Sequence, residues 1–410
     1  MAPLEPWEKV LVDDQVFPDS VHGLIACVDC HGGVQSPDKE IAHEGMIRNP
    51  SNDPRTTCGS CHPDIIAGSV HMLHSTLAGY WTVLDAREIP AEVEAPDPAV
   101  DVVGSTPTAE PGDRPLSHDA LVEMFDNHCD TCHASCGECH VSQPDLVGGG
   151  LIERHMFNST PSMTRNCTAC HGSRVGNEYL GKHEGIMADV HFRQGRMNCL
   201  DCHSGAEMHG EPAECTTCHQ GSESEALPPA DHRYAGIQAP RCEMCHASAS
   251  SGQDGVEMHQ EHGADLSCQV CHSLAYTSCD GCHVAISDAT GNPFYSTEAS
   301  YLTFFIGRNP LPSYERPYDF VPLRHVPVAP DSFSFYGENL LPFFDQLETW
   351  KYTTPHNIQL NTPQTESCNA CHGNPELFLT ADKVAPDELS ANEDVILDSI
   401  PMEIPSADQP

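Results

Sequence analysis

Positive charge is what the chain most conspicuously lacks, with 19 Lys and Arg against 60 Asp and Glu in 410 residues, a formal net charge of −41. A balance of that sign excludes nucleic acid as a partner and disfavours an anionic membrane surface. Aromatic residues are scarce, at 6% of the chain, so large aromatic side chains cannot supply most of a core. No stretch approaches the roughly 20 consecutive apolar residues of a membrane span, and no membrane span is expected. The opening MAPLEPWEKV has neither a basic n-region nor an apolar run, so an exported chain requires a signal peptide trimmed away or lying upstream of this numbering. Unpaired cysteine is absent as well, which leaves no thiol to carry an N-terminal lipid.

The cysteines that are there follow one rule. All 22 fall into pairs separated by two residues, and histidine follows each pair. The first six motifs are Cys27, Cys30 and His31; Cys58, Cys61 and His62; Cys129, Cys132 and His133; Cys136, Cys139 and His140; Cys167, Cys170 and His171; and Cys199, Cys202 and His203. The other five are Cys215, Cys218 and His219; Cys242, Cys245 and His246; Cys268, Cys271 and His272; Cys279, Cys282 and His283; and Cys368, Cys371 and His372. In C-x-x-C-H, two thiols form thioethers to the vinyl groups of a haem and the adjacent imidazole becomes the proximal iron ligand. Zinc knuckles also use paired cysteines, and a disulfide framework also uses an even number, but neither needs histidine immediately after every second cysteine. Eleven covalent haem c groups are therefore the expected cofactors.

Eleven haems in 410 residues leave about 37 residues for each, so macrocycles must replace much of the core. The expected fold class is short α-helices and irregular coil packed around a haem array, with little regular β-structure. Residues 1–84 read as an N-terminal two-haem module, and 85–119 as an acidic, Pro-rich linker or strap unable to bury a core. Residues 120–283 form an eight-haem core. The interval 284–367 has no motif, yet 294–352 holds 8 of 13 Phe, 6 of 10 Tyr and one of 3 Trp, and a conventional aromatic core is expected there. Residues 368–410 carry the last motif and an acidic tail expected to be poorly tied down.

Repeats are visible within this plan. CHG, ten residues, then HEG occurs from His31 to Gly45 and again from His171 to Gly185, and closely spaced motif pairs end in CGECHV and CDGCHV. The chain reads as assembled from duplicated haem-pair modules, with short spacings bringing neighbouring porphyrins into van der Waals range. Each iron needs a sixth ligand, and fifteen further histidines are candidates for the eleven places: His22, His43, His71, His74, His118, His128, His155, His183, His191, His209, His232, His259, His262, His325 and His356. His43 and His183 are preferred because the repeat keeps them at one offset. The close pairs His71 with His74 and His259 with His262 serve either two adjacent irons or one. Met46, Met187 and Met208 stand near ligand-like positions and are the alternative ligand type, although methionine is more often packing. Self-repulsion among the carboxylates makes calcium an expectation, weighed against a solvated acidic surface, which is favoured; no EF-hand-like loop locates an ion.

On its eleven C-x-x-C-H motifs the chain resembles the multihaem cytochromes c of respiratory bacteria and archaea. YGENLLPFFDQLETWKYTTPHNIQ, shortly before CNACHG, is similar to the C-terminal region of octahaem reductase-like cytochromes. The resemblance implies export to the periplasm or cell exterior, where haem c is attached. Its implied partners are redox proteins or an extracellular electron acceptor. It leaves two functions open. In the favoured one, every haem is six-coordinate and the protein is no enzyme but an electron wire or carrier, with a homopolymer whose subunits exchange a distal histidine as one form. In the other, one haem keeps an open position for a small oxidised nitrogen or sulfur compound. Against the second stand the absence of any C-x-x-C-K variant, the surplus of histidine and the scarcity of basic residues to draw in anionic substrates.

Overall fold

The computed structural model describes residues 5–69, 72–89, 116–132, 134–210, 240–276, 279–299, 303–310, 312, 316–326 and 328–405. It is 41% helical and 8% strand, which is the expected class of short helices and coil with little β-structure. The helices are short because the motif itself is one helical turn. In Cys27–His31, Cys136–His140 and Cys268–His272 the two cysteines sit three positions apart on one face with histidine beside them. Local chemistry starts and stops these turns. Ser367 Oγ accepts the Ala370 N–H at 3.2 Å to open Cys368–Cys371. Gly32, at φ 61°, closes Cys27–His31 by donating its N–H to Val28 O at 2.9 Å.

Two helices are longer, Ala78–Glu88 and Leu116–His128. Leu84 from the first and Leu121, Met124 and Phe125 from the second pack with Val284, Phe333, Leu340 and Leu341 into the first apolar core. The first helix therefore runs past position 85, where a linker was expected to begin, and Arg87 and Glu88 are buried. The reason is that its last turn faces the aromatic segment: Arg87 O accepts the Phe343 N–H at 2.9 Å. The remainder of the expected linker, 90–115, lies outside the described residues.

Strands gather in the aromatic segment and just before it. β1 (Cys279–Ile286) and β2 (Pro293–Ala299) form an antiparallel pair. The tenth motif therefore departs from the turns of the other described motifs: Cys282 stands opposite Thr297 and His283 opposite Ser296 in the strand register. β3 (Phe305–Arg308), β4 (Phe320–His325) and β5 (Trp350–Tyr352) form an antiparallel sheet in the order β3-β4-β5. Val321, Leu323 and Trp350, all essentially inaccessible, pack with Tyr318 and Tyr352 and with Leu379, Val384 and Val395. The last three belong to the C-terminal tail. A loosely held tail was expected from its acidity, but its spaced apolar residues are buried through Leu397, and only 406–410 lie outside the described residues.

A polar network ties that tail to the sheet. Asn392 accepts the Trp350 N–H at 2.9 Å and donates to Thr349 Oγ1 and Glu388 O at 2.9 and 2.7 Å. Glu388 accepts from Thr349 Oγ1 at 2.6 Å and faces His325 Nε2 at 2.8 Å. Burial alone would push the Glu388 carboxyl up, but the His325 and Thr349 hydrogen bonds outweigh it and hold it below 4.5. A depressed folded value contributes stability that is present above the unfolded value and lost as pH falls through the folded one. The melting-temperature gap between the native protein and Glu388→Gln is thus expected to be widest above pH 4.5 and to close below it; a gap independent of pH would contradict this.

Candidate functional site

Eight pairs of histidine rings stand out from the other aromatic contacts. In chain order, His22 faces His62, His31 faces His155, His74 faces His171 and His140 faces His209, with centroids 6.3, 5.7, 6.0 and 6.0 Å apart. His191 faces His246, His203 faces His356, His259 faces His272 and His262 faces His372, at 5.9, 6.5, 6.0 and 6.1 Å. Every pair joins one motif histidine to one of the fifteen others. Rings in direct stacking contact are much closer, 4.1 Å for His22 on Phe157 and 4.0 Å for His183 on Tyr276. Within the pairs the distance is nearly constant while the interplanar angle runs from 16° to 90°. A metal bonded at about 2 Å to one nitrogen of each ring sets the centroids roughly 6 Å apart and leaves the twist between rings free. The residues therefore fit axial ligation of iron.

Hydrogen bonds at the other ring nitrogen say which atom faces the gap. His31, His140, His272 and His372 each direct Nδ1 at a backbone oxygen, of Ile47, Asn158, Gln359 and Met402, at 2.9, 2.6, 3.0 and 3.1 Å. A carbonyl only accepts, so Nδ1 carries the proton and Nε2 keeps the lone pair that a metal takes. His262 does the same toward Met258 O at 3.2 Å. Carboxylates do this for His191, His203 and His259, through Asp189, Glu207 and Asp254 at 2.9, 3.0 and 2.6 Å. The hydrogen bonds to Asp189 and Glu207 raise the pKa of His191 and His203, making each a stronger electron donor toward a metal. Burial instead lowers His22, His74, His155 and His356, favouring the neutral form that ligation requires.

The thiols supply a second test of fit. Cysteine is ordinarily among the most buried residue types, yet of eighteen motif cysteines with assigned exposure, none is buried. Cys27, Cys61, Cys202 and Cys245 are exposed outright, so no segment of polypeptide closes over the second cysteine of the second, sixth and eighth motifs. An apolar macrocycle bonded to these sulfurs would cover them.

Other candidates stand elsewhere. His43 is exposed with Nδ1 on Lys39 O at 2.6 Å, and neither it nor His183 is paired with a motif histidine among the described residues. His183 stacks on Tyr276 with its Nε2 buried and without a hydrogen-bond partner. Among the described residues the repeat keeps their offsets without bringing either ring opposite a motif histidine. His128 Nε2 lies 2.8 Å from Tyr336 Oη. His325 belongs to the conventional core: its Nε2 faces Glu388 and its ring lies against Trp350 at 5.1 Å. His118 Nδ1 meets Glu88 at 2.9 Å, and with Asp85 these residues bring three ligating atoms within 4.8 Å of one another. One imidazole and two carboxylates suit a borderline transition metal or a plain ion pair better than oxygen-seeking calcium. Cys282 and His283 lie on β1 rather than on a helical turn. Met46 and Met187 are exposed and Met208 ends the short helix before His209. His71, His133 and His232 lie outside the described residues, as does the whole seventh motif, Cys215, Cys218 and His219.

Sequence reading missed the three orienting carboxylates. Their signals are short-range, Asp189 two before His191, Glu207 four after His203 and Asp254 five before His259, but are recognisable only once those histidines are known to be paired. Among the described residues no helix is long and apolar enough to cross a membrane. No protein-family model, curated protein or solved structure matches the chain.

Proposed function

We propose that the chain is an electron-transfer protein carrying eleven covalent haem c groups, most of them held between two histidines. What supports the reading is a single regularity: all eight closely spaced histidine pairs among the described residues combine a C-x-x-C-H histidine with a non-motif one, at 5.7 to 6.5 Å. Chance contacts between rings would mix motif and non-motif partners freely. Haem c with both axial positions filled supplies one-electron chemistry without making or breaking a bond. The chain's own part is to hold each group by two thioethers, to present a ring nitrogen from both sides, and to fix eight of the paired rings through Nδ1. Carbonyl partners at His31, His140 and His372 and carboxylate partners at His191, His203 and His259 give the sites different donor strengths. Haem c attachment puts the protein outside the cytoplasm, and its partners are then redox proteins or an extracellular acceptor.

Low-temperature electron paramagnetic resonance of the oxidised protein, before and after cyanide, tests this. Low-spin signals alone, unchanged by cyanide, are the expected result. A high-spin signal that shifts on ligand addition would mean an open iron and favour a reductase, and a protein without covalent haem on a denaturing gel would end the reading altogether.

A further inference from the structure

We infer that the eight attachment sites with paired histidines form a single file, running in chain order from the His31 site to the His372 site, while the site of Cys129 and Cys132 stands beside the file next to that of Cys167 and Cys170. The inference rests on the haem reading above and adds to it the order in space.

Each step in the file has its own contact. At the first, His155 and His22, the partners of His31 and His62, both contact one intermediary, Phe157, at 5.9 and 4.1 Å. The second step skips the third motif. Ser51, ahead of the second motif, hydrogen-bonds Ser135, the cap of the fourth, through their hydroxyls at 2.9 Å, and Cys58 is near enough to Cys136 to affect its thiol. From the fourth motif to the fifth, Asn166 donates to Glu138 O and Ser142 O at 2.6 and 3.0 Å. Between the fifth and the sixth, Tyr179 Oη donates to Met197 O at 2.9 Å, and the Cys167 and Cys199 thiols are near enough to affect each other.

The remaining steps are equally direct. Asp189 binds His191 Nδ1 with one carboxylate oxygen and the Ile358 N–H with the other, so one side chain organises the segments bearing His191 and His356, the partners of His246 in the eighth motif and His203 in the sixth. Asp254, shortly after the eighth motif, holds Nδ1 of His259, the partner of His272, at 2.6 Å, and Cys242 and Cys268 are near enough to affect each other, which joins the eighth and ninth motifs. Finally, His259 and His262 lie three apart on the helix Glu257–His262 and face His272 and His372, so neighbouring positions on one turn serve two sites; Cys271 and Cys371 pack against the same apolar cluster. The third motif makes a different connection: Ala134, next after it, donates its N–H to His74 O at 2.9 Å, His74 faces His171 of the fifth motif, and the Cys132 thiol is near enough to Cys170 to affect it.

Thioether sulfurs sit at the porphyrin edge, so sulfur-to-sulfur proximity between motifs brings two edges together. Among the described sites the file is therefore the continuous route, and the third site is a branch.

Iron positions in the native holoprotein, from an electron cryo-microscopy map or iron anomalous diffraction, decide the order without any substitution. The expected result places the second motif's iron between those of the first and the fourth, with the third motif's iron nearest the fifth. An iron of the third motif lying between the second and the fourth would overturn the file. A map without iron would remove the haem reading itself, a different failure from irons present in another order.

Discussion

Chain produced without haem attachment is expected to show no cooperative thermal transition over most of its length. The described residues bury 25 hydrophobic side chains, and 21 of these fall into three separate clusters rather than one continuous core. For a chain of 410 residues that burial is too small to offset conformational entropy of about 1–2 kcal/mol per ordered residue. The helical turns bearing the described motifs are three to five residues long, and helices of that length do not persist in water on their own. The motif-bearing stretches 27–62 and 129–272 should then be cut fastest in limited proteolysis. Residues 303–405, with Val321, Leu323, Trp350, Leu379 and Val395 inaccessible, should be cut last. A sharp calorimetric transition of haem-free chain with the enthalpy of a whole domain would contradict this, because packing would then suffice without the cofactor.

The second large effect separates two histidines that look alike in sequence. His262→Ala is expected to turn one low-spin haem into a high-spin, cyanide-binding one, because His262 faces His372 at 6.1 Å with its Nδ1 fixed on Met258 O. His259, one turn away, faces His272, so the change should stop at a single iron. His325→Ala should leave the spin state unaltered and lower the melting temperature instead. Its Nε2 lies against the buried Glu388 carboxylate, and removing one partner of a buried charged hydrogen bond costs about 3 kcal/mol. Electron paramagnetic resonance and thermal denaturation of both variants check the contrast. New high-spin haem in His325→Ala, or none in His262→Ala, would reverse the assignments.

The expectation that the two histidines of the HEG repeats were the safest ligands has no ring pairing behind it among the described residues, which leave out the motif histidines His133 and His219. Duplication preserves the offset of His43 and His183 from their motifs, and offset is all a repeat can display. The structure puts His43 on the surface and His183 against Tyr276, while the rings opposite the motif histidines come from places no spacing rule marks: His155 for His31, His356 for His203 and His74 for His171. The tail misled for a related reason. Its acidity is a surface property, whereas Leu379, Val384 and Val395 meet the β3-β4-β5 sheet from a distance that local composition does not register.

On the proposed reading, sequence alone determines where haem would attach, since two thiols and an imidazole within five consecutive residues form a complete chemical instruction that needs no distant partner. It also determined the short-helix class, because most of the described motifs lie on a single turn. Only tertiary structure decided which histidine faces which motif, which histidine is claimed by a carboxylate in the core, and that the second motif touches the fourth. The physical reason is the same in each case: a sixth ligand has only to reach a point on the far side of a macrocycle. Any segment whose backbone passes that point can supply it, and where segments pass one another is settled by packing across the whole chain.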